Sequence, residues 1–127
     1  MKYTITLLKL SLIFILFTAF KAENRADKTS VTITESDHFY ELKAKYDPEK
    51  TEKVQKYMDK SLPGNGNFSF QHAQLDATLT LDSKITFYIK ANPGELVLKF
   101  DKRKNNADHY AKFKKMCEGL KGIIGEN

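Results

Sequence analysis

The chain is poor in the residues that staple or interrupt small proteins. It has one cysteine, so no internal disulfide can form and a disulfide-framed miniprotein is excluded. Six glycines and three prolines in 127 residues exclude a collagen-like repeat and a Pro/Gly-rich linker. Tryptophan is absent, which leaves nine phenylalanines and six tyrosines to supply the aromatic packing. No apolar run is long enough to cross a bilayer: the stretch from Leu10 to Phe20 is about 11 residues, against the roughly 20 that a spanning helix needs. No acidic residue occurs before Glu23.

What remains is the composition of one ordinary domain, 41% apolar and 29% charged. Lys2 followed by the apolar stretch reads as a secretory signal peptide over residues 1–22, with cleavage after Ala22 and with Ala19 and Ala26 as alternative sites. Localisation is therefore expected to be periplasmic or extracellular. Removing residues 1–22 takes away Lys2, Lys9 and Lys21 and no acid, so the formal charge of +5 falls to +2, with 18 basic against 16 acidic side chains. A near-balanced chain argues against a nucleic-acid partner, which selects a concentrated positive stripe.

Residues 23–30 lack apolar periodicity and read as a flexible leader to a single domain over 31–127. Val31 and Ile33, then Tyr40, Leu42, Ala44 and Tyr46, alternate with polar residues, giving one bent strand or a hairpin interrupted at Ser36-Asp37. Asp47-Pro48-Glu49 is a helix start, and Val54, Tyr57, Met58 and Leu62 form its apolar side. Pro63 to Asn67 is a loop, and a reset of register is expected at Gln71–Gln74 before the rows Leu75 to Leu81, Ile85 to Ile89 and Leu96 to Phe100. A last helix from Asn105-Asn106 to about Ile123 carries Tyr110, Phe113, Met116, Cys117 and Leu120 on one face, with Gly119 and Gly122 weakening its end by about 1 kcal/mol each. The order β-α-β-β-β-α predicts an α+β two-layer sandwich: an antiparallel sheet of about four strands with two helices on one face. That order resembles small secreted inhibitor folds such as cystatins. The Gln-x-Val-x-Gly loop of that family is absent and a second long helix is present, so the resemblance implies no site residues here.

The chemistry-bearing residues do not form motifs. Cys117 falls on the apolar face of the last helix and is expected in the core. His38, His72 and His109 have no metal-ligand spacing, so no metal and no cofactor is expected. His72, in the register-resetting segment, is the histidine to inspect first, as the centre of a small hydrolase-like site with a neighbouring acid. Asp76, Asp82, Glu41 and Glu95 read as solvated charges. Gly64 to Gly66 has no phosphate-loop lysine, and no Gly-x-Ser-x-Gly occurs. Two surfaces suit a partner. One is the outward row of the sheet, with Phe39, Thr78, Thr86 and Tyr88. The other is the basic run Lys102, Arg103 and Lys104, near Lys112, Lys114 and Lys115. The expected function is thus a small exported non-catalytic binding or accessory protein that holds a protein, a surface glycan or a second copy of itself. An inhibitor or immunity protein acting through the Pro63 to Asn67 loop is the alternative.

Overall fold

The computed structural model describes residues 29–125; the expected signal peptide and most of the expected leader lie outside them. Five strands form one antiparallel sheet: β1 (Ser30–Glu35), β2 (Phe39–Lys45), β3 (Leu75–Thr80), β4 (Thr86–Asn92) and β5 (Glu95–Asp101). Their order is β1-β2-β5-β4-β3, so the last strand enters the middle of the sheet between β2 and β4. Two α-helices among the described residues, α1 (Thr51–Ser61) and α2 (Ala107–Gly125), pack side by side on one face, α2 lying against β1 and β2. The expected α+β two-layer class holds, with five strands rather than about four. The extra strand arises because Ser36-Asp37-His38 closes a hairpin, with Ser36 N–H donating to Phe39 C=O at 2.8 Å and Phe39 N–H to Ser36 Oγ at 3.2 Å.

Each element follows from local chemistry. Asp47 Oδ1 accepts the Glu49 N–H at 3.0 Å and caps a turn of 3-10 helix, Pro48–Lys50, that leads into α1. The tight turn between β4 and β5 is built on Gly94, at φ +79°, where an added Cβ would stand 2.7 Å from the Tyr46 carbonyl oxygen. Gly94 C=O accepts from Tyr46 N–H at 3.0 Å and its N–H donates to Thr51 Oγ1 at 2.9 Å, so the turn is fastened to the start of α1. The register reset is organised from α1: the Asp59 carboxylate accepts from Ser69 Oγ, Phe70 N–H and Gln71 Nε2, and Gln55 Oε1 accepts from His72 N–H, with His72 at φ +62°.

The core is continuous between the two layers. Leu42, Ile89 and Leu98 share one inward row of the sheet. Val54 and Met58 are buried from α1, and Phe113, Cys117, Leu120 and Ile124 from α2. Phe100 stacks on Phe113 with ring centroids 4.8 Å apart, and Phe87 tilts against the same ring at 5.2 Å. Asn106 Oδ1 accepts the His109 N–H at 2.8 Å at the start of α2. α2 runs through Gly119 and Gly122 to Gly125, two residues beyond the expected end near Ile123. The glycine at 119 has a tertiary reason: a Cβ there would overlap the Tyr57 hydroxyl, so the missing side chain is the space in which Tyr57 of α1 lies.

Candidate functional site

The face of the sheet away from the helices carries the outward residues in cross-strand rows. Thr34, Glu41, Lys99, Tyr88 and Thr78 form one row, and Thr32, Lys43, Val97, Lys90 and Asp76 form the next. Thr78, Thr86, Tyr88 and Phe39 are therefore brought to one face, with Phe39 at the β2 end opposite Asp101. Three of the four are engaged by neighbouring side chains. Tyr88 Oη donates to Asp76 Oδ1 at 2.6 Å, a bond that raises the Tyr88 pKa, and Thr80 and Thr86 share a hydroxyl–hydroxyl bond at 3.0 Å. Phe39 is held between two cations, with Lys99 Nζ at 4.6 Å and Arg103 Cζ at 5.2 Å from its centroid.

The basic run is divided between the two faces. Lys102, Arg103 and Lys104 form a 3-10 turn after β5. Arg103 turns toward the open face and forms an ion pair with Asp101, Nε to Oδ1 at 3.0 Å and Nη2 to Oδ2 at 3.1 Å; its hydrogen bonds hold the Asp101 carboxyl below its usual range. Lys102 turns the other way. Its Nζ reaches Glu35 Oε2 at 2.8 Å and Ser36 C=O at 2.9 Å and lies 5.1 Å from the centroid of the Tyr110 ring of α2. Glu35 also accepts from the Tyr110 hydroxyl. Two of the three cations thus have a structural partner, and the third side of the turn is fixed by Asn105, whose amide bonds Thr86 C=O, Asp101 C=O and Thr86 N–H.

The histidines are apart. His38 lies in the β1–β2 turn, and His109 lies in the first turn of α2. His72 is exposed and borders a cavity of about 440 Å³ with Glu49, Glu52 and Gln55. No group of three or more metal-ligating side chains occurs among the described residues, and no helix among them is long and apolar enough to cross a membrane. Cys117 is fully buried, and burial pushes its thiol pKa up, away from the thiolate. The Pro63 to Asn67 loop is tied down: Asn65 Nδ2 donates to Leu62 C=O at 2.6 Å, and Asn65 Oδ1 accepts from Asp82 N–H at 3.2 Å.

A second cavity, of about 430 Å³, opens on the helical side where the end of α1, the turn between β3 and β4, and the middle of α2 meet. Its polar lining is Lys60 and Ser61 from α1, Ser83 from the turn, Lys112 and Lys115 from α2, and Tyr57. Its apolar lining is Leu62, Pro63, Ile85 and Met116. No acidic side chain lines it, and none of its three lysines forms an ion pair among the described residues. The placement has simple causes. Lys112, Lys115 and Met116 share a side of α2 at spacings of three and four. Pro63 ends α1 beside Ser61 and Leu62, and Lys84 at φ +77° turns the chain between Ser83 and Ile85. Tyr57, seated over Gly119, closes the wall between the helices. The sequence pattern assigns Lys112 and Lys115 to the surroundings of the basic run and Lys60 to the outer side of α1. Their convergence has no local signal, because it depends on two helices about 50 residues apart lying side by side.

No protein-family model, curated protein or solved structure matches the chain.

Proposed function

We propose that the protein is a small exported binding protein without catalysis, and that its recognition site is the cavity between α1, the β3–β4 turn and α2, where it holds an anion. The observation that carries this reading is the set of three lysines, Lys60, Lys112 and Lys115, facing one cavity without an acid in its lining. A sphere of that volume is about one Debye length across, ~8 Å at physiological ionic strength, so charge on the three exposed lysines is felt by a shared guest and is weakened by added salt. By contrast, in the 102–104 turn Arg103 pairs with Asp101 and Lys102 with Glu35, which leaves these two cations less potential to offer a partner.

Isothermal titration with sulfate, phosphate, citrate and alkyl sulfonates tests the reading. At least one of these anions should bind saturably and weaken with added salt. Lys112→Glu with Lys115→Glu, both exposed and therefore compatible with the fold, should weaken it about tenfold or more, the equivalent of ~1.4 kcal/mol. Absence of saturable binding by every anion, or equal binding by the double variant, would overturn it.

A further inference from the structure

We infer that the ligand is an amphipathic organic anion, an acidic head on an aliphatic or aromatic body; this rests on the anion-binding reading of the same cavity and narrows it to a chemical class. The lining is two-sided. Lys60, Lys112 and Lys115 supply positive charge, whereas Pro63, Tyr57 and the lysine stems supply apolar surface above a floor of Leu62, Ile85 and Met116, which are 3%, 1% and 1% exposed. A guest whose body covers Pro63, Tyr57 and the lysine stems removes that surface from water and lies over the outermost atoms of the core. An inorganic anion does not do this. Its size is a few water volumes of ~30 Å³ each, whereas the cavity of about 430 Å³ lies in the range of roughly 300–1,000 Å³ that small organic ligands occupy.

The head is specified by charge more than by shape. Lysine ammonium groups are flexible point charges without the planar fork of arginine, so the site accepts carboxylate, sulfonate or phosphate monoester heads alike. The hydroxyls of Ser61 and Ser83 add donors with the same tolerance. Selectivity then comes from the body. Tyr57 sets its limit, because the ring is seated on Gly119 and cannot move toward α2.

A chain-length series separates this inference from the reading on which it rests. Butyl, hexyl and octyl sulfonate, each below its micellar concentration, are titrated into the protein beside sulfate and 1-octanol, with the methyl resonances of Ile85 and Met116 followed by NMR. Both residues line the cavity, so shifts confined to them place the ligand there, whereas shifts spread through the core do not. Affinity should rise about three- to fourfold per methylene, following apolar transfer of ~0.8 kcal/mol, and both methyl groups should shift. Octyl sulfonate should bind at least about 30-fold more tightly than either sulfate or 1-octanol. If sulfate binds and affinity is flat along the series, the amphipathic class is overturned while anion binding stands. If 1-octanol matches octyl sulfonate, the charge contributes nothing and both readings fall. If no ligand shifts the two methyl groups, both fall as well.

Discussion

Gly119 and Tyr57 form a pair whose energetics depend on each other. Alanine is the better helix former by about 1 kcal/mol, so Gly119→Ala on an isolated helix would be stabilising. Here the new Cβ would overlap the Tyr57 hydroxyl and its Cζ, and the ring must leave its place. Gly119→Ala should therefore destabilise the protein by about 1–3 kcal/mol, the usual cost of overpacking. In a Tyr57→Ala background the same change should become stabilising by up to ~1 kcal/mol. Urea unfolding of the four proteins of this cycle measures the reversal of sign. A cycle in which Gly119→Ala has one sign in both backgrounds would mean that the glycine serves the helix and not the ring. Local propensity marks Gly119 as a weak point in α2, and the reason for it lies 62 positions away in another helix. The same holds for Lys102: its neighbours in sequence are basic, but Glu35, which neutralises it, is 67 residues distant.

At the scale of elements, α2 is joined to the edge of the sheet through Glu35 at the end of β1, Lys102 after β5 and Tyr110 on α2. The hydrogen bonds from Lys102 and then Tyr110 hold the Glu35 carboxyl below its ordinary value, while Glu35 first and burial second push the Tyr110 phenol up to about 12. The signs differ. A lowered carboxylate contributes stability that is complete above its unfolded value, about pH 4.3, and is lost as pH falls through the folded one. A raised phenol contributes stability that is complete below its unfolded value of about 10 and is lost as pH rises through the folded one. Glu35→Gln should thus be less stable than the parent at about pH 7, with the difference closing toward about pH 2; Tyr110→Phe should remove part of the loss seen above about pH 10. Denaturant midpoints across pH report both. A Glu35→Gln deficit that persists in acid would assign the loss to packing rather than ionisation. The strands themselves are legible in the sequence, because alternation at Tyr40 to Tyr46, Ile85 to Ile89 and Leu96 to Phe100 records burial on one face. The β1–β2 hairpin is ambiguous there because its turn, Ser36-Asp37-His38, has no glycine or proline to announce it.

At the scale of the whole molecule, the three lysines of the cavity set binding against stability. Lys112 and Lys115 lie one turn apart on α2, and like charges at that spacing cost a few tenths of a kcal/mol. Lys115→Gln should therefore raise the unligated protein's stability slightly, by about 0.3 kcal/mol, while weakening the anion; thermal melts with and without octyl sulfonate read both effects. A variant that loses stability and keeps its affinity would place Lys115 outside the site. The sheet order carries another consequence. The β1–β2 hairpin and the β3–β4 hairpin have no strand pairing with each other; β5 joins them, and it is the last strand that a ribosome delivers. Such long-range closure is slow, because the entropy of bringing distant segments together is lost before the contacts form. Until Glu95–Asp101 emerges, a growing chain can pair β1 with β2 and β3 with β4 but has no strand to join the two hairpins into one sheet.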